Sequence, residues 1–172
     1  MPWLYLFCST IFGVIAIYHL FAHRRREMMN DYVIYETKDP RKISTSSRIY
    51  KISLWSSYLI LLLNLLLLLE IFRDFQRATL LFLMIFPIGL FILITLDRVF
   101  EVRGNALIFA GYHTQWGKIR LIKWGKQGGK RTKLIMELDK GTKIKTTIDN
   151  DERSSLEEIL SNYTHFEKEN NR

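Results

Sequence analysis

Between Gly117 and Leu138 the chain reads GKIRLIKWGKQGGKRTKLIMEL, with seven Lys and Arg set around Trp124 and a glycine pair. Three chemistries use such residues: a phosphate loop, a nucleic-acid surface and a basic patch facing lipid. The phosphate loop fails on spacing. GKQGGKRT leaves three residues between Gly125 and Gly129 where the nucleotide-binding pattern needs four, and Arg131 stands where Ser or Thr would hold magnesium. The KLIMEL that follows alternates as a strand does, whereas a phosphate loop opens a helix. Nucleic acid would use the cations for phosphates and Trp116 and Trp124 for base stacking. No recognition helix or RNA-binding signature accompanies them, so no nucleic-acid partner is expected.

Catalytic chemistry finds no foothold. His19, His23, His113 and His165 are scattered without metal-ligand spacing. There is no carboxylate pair, nucleophile motif or glycine-rich cofactor fingerprint, so neither an enzyme nor a cofactor is expected. The single cysteine, Cys8, excludes an internal disulfide or a cysteine metal cluster and reads as an apolar helix residue.

The elements that carry these residues follow from composition. The chain has 172 residues, a net charge of +8 and a pI near 9.6. Apolar residues concentrate before Asp97 and charged residues after it. Three uncharged stretches, PWLYLFCSTIFGVIAIYHLFA, ISLWSSYLILLLNLLLLL and ATLLFLMIFPIGLFILITL, each approach the roughly 20 residues that cross a hydrocarbon core of about 30 Å. Backbone polar groups cannot stay unpaired in lipid, so all three are expected to be helices, spanning about 2–22, 52–72 and 78–96 within a transmembrane region 1–97. The first stretch is not read as a cleaved signal, because its basic cluster follows the apolar run and bulky residues fill its end. Asn64 reads as an interhelical hydrogen bond, Pro87 as a bend, and His19 as an interfacial imidazole near a helix end.

Basic residues set the orientation. The segment 23–51 holds Arg24, Arg25, Arg26, Lys38, Arg41, Lys42, Arg48 and Lys51, while the connection between the second and third stretches balances Arg73 and Arg77 against Glu70 and Asp74. The positive-inside rule then puts the N-terminus outside and both the first loop and the C-terminal region inside a cell membrane. The Asn162-Tyr163-Thr164 glycosylation pattern falls on that inner side and is set aside. Within the first loop, Tyr32 to Tyr35 either adds an edge strand to the tail or lies along the bilayer.

After Asp97 the pattern changes to alternation. Strands are expected at Val99–Arg103, Ala106–Ala110, Tyr112–Trp116, Ile119–Trp124, Lys133–Leu138 and Lys143–Ile148, with a loop over Gly125 to Gly129. A helix capped by Asp149 or Asp151 then buries Leu156, Ile159, Leu160 and Tyr163. The result is a small α+β cytoplasmic domain over 98–166, with a frayed end from Phe166 and a tail 167–172.

GNALIFAG, the Trp116-x-x-Ile119 of QWGKI, two further hairpins and the capped ERSSLEEIL resemble the bacterial pleckstrin-homology-like domains of small Gram-positive membrane proteins. The resemblance covers about Phe100 to Leu160. It implies a bent antiparallel sheet or partial barrel closed by a C-terminal helix, and a binding or regulatory module rather than an enzyme. Some members accompany bacteriocin or peptide-resistance systems, so the resemblance implies a role in envelope defence or immunity to a membrane-active peptide; an accessory subunit of a membrane transporter or sensor is the alternative expectation. The implied partners are the bilayer, its anionic inner-leaflet lipids, and a membrane-protein or peptide partner. Lys118, Arg120, Lys123, Lys126, Lys130, Arg131 and Lys133 then either dock the domain on headgroups or form a solvated strand face, and Arg24, Arg25 and Arg26 form a juxtamembrane cluster.

Overall fold

The computed structural model describes residues 2–29 and 31–167. Two compact units divide them: residues 2–29 with 45–97, and residues 31–44 with 98–167.

The first unit is helical. It contains α1 (Pro2–Met28), α2 (Arg48–Glu70) and α3 (Phe75–Arg98), all long and apolar enough to cross a membrane. Their outward faces suit lipid. Leu62, Leu65 and Leu69 on α2 are more than half exposed, a contiguous apolar surface that water would not tolerate. Inward faces add small and polar residues to the buried Phe12, Ile60, Leu63 and Leu67: Ser9 and Ala16 on α1, Ser53 and Ser57 on α2. That is how helices associate where burial from water supplies no drive. The Asn64 amide donates to the Ser9 carbonyl at 3.2 Å, the interhelical bond expected of a lone Asn in a leucine run. On α3, Gly89 lets the Phe12 ring approach so closely that a Cβ there would lie 2.4 Å from it. The Tyr5 ring stacks on Phe75 and Phe82 with centroids 5.6 and 4.5 Å away.

Helix ends follow local hydrogen bonding. Ser47 Oγ accepts from the Tyr50 amide and starts α2 four residues earlier than its uncharged run. Asp74 Oδ1 accepts from the Gln76 and Arg77 amides and opens α3. α1 runs on through Arg24–Arg26 to Met28, whose cations oppose the negative end of the helix dipole.

The second unit is sheet-rich. β1 (Val33–Glu36), β2 (Phe100–Arg103), β3 (Ala106–Phe109) and β4 (Tyr112–Gln115) form an antiparallel meander. β5 (Ile119–Gly128), β6 (Arg131–Leu138) and β7 (Lys143–Asp149) form a second, which α4 (Arg153–Ser161) follows. Asp149 caps the intervening turn by accepting from the Asp151 amide. One core joins both sheets and the helix: Phe100, Val102, Leu107 and Phe109 from the first, Ile122, Trp124, Leu134, Met136 and Ile148 from the second, Leu156 and Leu160 from α4. Trp116 donates its indole N–H to the Arg103 and Gly104 carbonyls, both at 3.1 Å, and stacks on Tyr163 at 4.9 Å.

One open alternative is decided and two expectations change. Of the two readings of Tyr32 to Tyr35, the edge strand is the one observed: Val33–Glu36 pairs antiparallel with β2, and Ile43 bridges Val99. The loop expected over Gly125 to Gly129 is mostly strand. β5 passes an irregularity between Trp124 and Gln127 and turns at Gly129-Lys130, where Gly129 has φ +58°. The fraying expected from Phe166 does not begin there, because Phe166 and Glu167 form β8, parallel to β5, with Phe166 in the core. The rest of the expected tail, 168–172, lies outside the described residues.

Residues 98–167 alone therefore form an incomplete sheet unit. A soluble protein joining 31–44 to 98–172 through a Gly/Ser linker is expected to unfold at least about 10 °C above the 98–172 fragment, the shift that about 2 kcal/mol gives a domain of this size. Equal midpoints by circular dichroism would show that β1 and the segment after it add nothing to stability.

Candidate functional site

The seven cations of the β5–β6 hairpin divide into two sets. Arg120 meets Glu137 at 3.5 Å, and Lys143 meets the same carboxylate at 3.6 Å. Lys123 meets Glu167 of β8 at 3.4 Å. These are half-exposed or exposed pairs, each contributing about 0–1 kcal/mol. Arg131 is held more firmly. Its guanidinium donates to Asp39 Oδ1 at 3.0 Å, to Asp39 Oδ2 at 2.5 Å and to the Thr147 carbonyl at 3.1 Å. It is a clamp between β6 and the chain before α2, and Arg120 and Lys123 are likewise partnered. The ammonium groups of Lys118, Lys126, Lys130 and Lys133 are exposed and make no ion pair among the described residues. Lys126, Lys130 and Lys133 gather at the Gly129 turn, whereas Lys118 lies at the other end of β5, about 25 Å from Lys126 at the rise of an extended strand.

The clamp ties down the chain between β1 and α2. Asp39 is buried and also accepts from the Arg41 amide at 2.9 Å. On either side of it, the Lys38 amide donates to Glu152 Oε1 and the Lys42 ammonium donates to Thr146 Oγ1. Residues 37–44 thus form a strap fixed to β6, β7 and the turn before α4. Burial alone would raise the Asp39 carboxyl. The Arg131 and Arg41 hydrogen bonds and the charges of Arg131 and Lys42 outweigh that, so its pKa lies below the ordinary aspartate value. Beside the strap, burial and then the Glu152 carboxylate push the Tyr35 phenol up to about 12, which leaves it a neutral donor.

A second buried pair lies in β2. Arg103 donates to Glu101 Oε2 from Nε and Nη2 at 3.1 and 3.0 Å, and Ser44 Oγ lies 2.8 Å from carboxylate oxygens of both Glu101 and Glu36. Alternation along VFEVR assigns Glu101 and Arg103 to the face away from the core, but both are buried.

In the helical unit, Arg24 and Arg25 are exposed, but Arg26 is not. Arg26 donates to the Tyr50 hydroxyl at 2.9 Å and lies 5.9 Å from the Tyr50 ring centroid. His19 is not a solvated imidazole: it is fully buried with its ring edge-on to Tyr50 at 5.1 Å, and neither ring nitrogen has a hydrogen-bond partner among the described residues. Tyr50 organises this cluster, and only its place at the start of an apolar run signals it in the sequence. Cys8 is half-buried within α1. Among the described residues no group of three His, Cys, Asp or Glu could hold a metal ion.

Comparison with protein-family models, with curated proteins and with solved structures finds no match to this chain.

The Asp39 clamp has a defined pH dependence. Its folded pKa lies below the unfolded value, so its stabilisation is complete above the ordinary aspartate range and is lost as pH falls through the folded pKa. Asp39→Asn in the joined sheet unit is expected to cost about 2–3 kcal/mol at neutral pH. Urea unfolding followed by tryptophan fluorescence should show that gap narrowing below about pH 4. A gap that stays constant through acid would show that the carboxylate charge is not its source.

Proposed function

We propose that this chain is a non-enzymatic, multi-pass membrane protein whose sheet unit is a pleckstrin-homology-like binding or regulatory module on the cytoplasmic side. The observation that carries the reading is the set of unpaired lysines at the β5–β6 turn, in a unit connected to candidate membrane spans on both sides of the strap. Two antiparallel meanders closed by α4 support the pleckstrin-homology-like part. Lys126, Lys130 and Lys133 dock this turn on the anionic inner leaflet. At about 1 kcal/mol per lysine near such a surface, three give about 3 kcal/mol, a factor of roughly one hundred in occupancy. The setting the resemblance implies is envelope defence, including immunity to a membrane-active peptide.

The docking is read on the full chain in lipid nanodiscs. Backbone amides over 125–133 are expected to exchange more slowly in phosphatidylglycerol-containing discs than in phosphatidylcholine discs. The difference should disappear at high salt, where screening shortens to about 3 Å at 1 M, and in the variant K126Q/K130Q/K133Q. Equal exchange in both lipids would leave the turn a solvated hairpin.

The orientation is tested by cysteine labelling in a Cys8→Ser background. Phe72→Cys, between α2 and α3, should react with a membrane-impermeant maleimide in intact cells, and Pro40→Cys only after the membrane is opened. The reverse pattern would overturn the cytoplasmic placement.

A further inference from the structure

The α1–α2 pair holds an open groove of about 460 Å³ that the docking turn does not use. Its walls are graded in polarity. Leu20 and Phe21 of α1 and Leu54 and Tyr58 of α2 line the apolar part, and His23, Arg24 and Glu27 line the part nearer the end of α1. Glu27 is engaged by His23 Nε2 at 3.4 Å, whereas Arg24 is exposed and has no ion pair among the described residues. Arg24 follows Leu20 by one helical turn, about 6 Å along the axis. The groove therefore offers a cation toward the helix end and an apolar channel toward the middle of two candidate membrane spans.

Few occupants match that gradient. A free inorganic anion would satisfy Arg24 and leave four apolar side chains uncovered. A zwitterionic lipid would cover those side chains and offer Arg24 a phosphate, but it would also bring a choline cation to a helix end that already carries Arg24 and Arg25. A single amphiphile with an anionic head and a hydrocarbon tail satisfies both, and basic pockets between spans are where such headgroups bind. We infer that the α1–α2 groove binds one anionic phospholipid, its phosphate on Arg24 beside His23 and an acyl chain along Leu20, Phe21, Leu54 and Tyr58. This site is independent of the lysines at the β5–β6 turn.

The test is native mass spectrometry of the full chain in detergent, with phosphatidylglycerol or phosphatidylcholine added. One phosphatidylglycerol should remain bound under activation that strips phosphatidylcholine. Arg24→Gln should lower the bound fraction about fivefold, while Arg25→Gln, which changes the same charge outside the groove, should not. Leu54→Trp fills the apolar part and leaves the cations intact, so it should also reduce lipid retention; an anion-only site would be indifferent to it. Thermal midpoints measured without lipid establish that each variant is folded. Equal retention of the two lipids, or equal losses from Arg24→Gln and Arg25→Gln in folded protein, would overturn the site. K126Q/K130Q/K133Q should leave retention unchanged; a loss there would assign the lipid to the sheet unit instead.

Discussion

β1 and β2 are neighbours in one sheet, yet the whole of α2 and α3 separates them in the chain. This pairing constrains much of the rest. The two segments can meet only if the intervening helices return the chain to the side it left, so α2 and α3 either both cross a bilayer or neither does. Each is long and apolar enough to cross, and α2 carries leucines on its outward face. The sheet unit is thus discontinuous, with a helical hairpin inserted between its first and second strands. The Arg131–Asp39 clamp and the Ile43–Val99 bridge fix the strap that leads out of β1 toward that insertion.

The clamp also explains why charge alone misleads on the basic hairpin. Seven cations in one stretch look like one surface. A buried carboxylate from a distant segment takes Arg131, carboxylates on neighbouring strands take Arg120 and Lys123, and the strand length sets Lys118 apart. What remains is a compact group at the turn. Pairing of this kind depends on which strands lie side by side, and no local pattern encodes it.

The same distinction runs through the molecule. The three long helices were legible because their apolar runs carry the signal directly in composition. Strands β2 to β7 and α4 were legible from alternation and capping, with ends near those observed. What escaped the sequence was non-local. β5 continues through KQG because β6 supplies hydrogen bonds to a glycine-rich segment that favours no strand by itself. Phe166 joins the core because β5 has a free edge. Glu101 and Arg103 are buried together because each neutralises the other. His19 and Arg26 gather on Tyr50, and the antiparallel register of α1 against α2 decides that meeting. Of the candidate site, the lysines could be read from the sequence, but which of them were free could not.

An inserted hairpin also imposes an order on synthesis. β1 leaves the ribosome some sixty residues before its partner strand β2 exists, several seconds at ordinary elongation rates. During that interval Val33–Glu36 is an unpaired strand, and the strap has neither Arg131 nor Thr146 to hold it. The sheet unit can close only after the whole of α2 and α3 has been made and β2 has followed them. If only one of the two helices crossed a bilayer, β1 and β2 would be left on opposite sides, each with an open sheet edge exposed. Completion of the sheet unit therefore waits on the helices that lie between its strands in the chain.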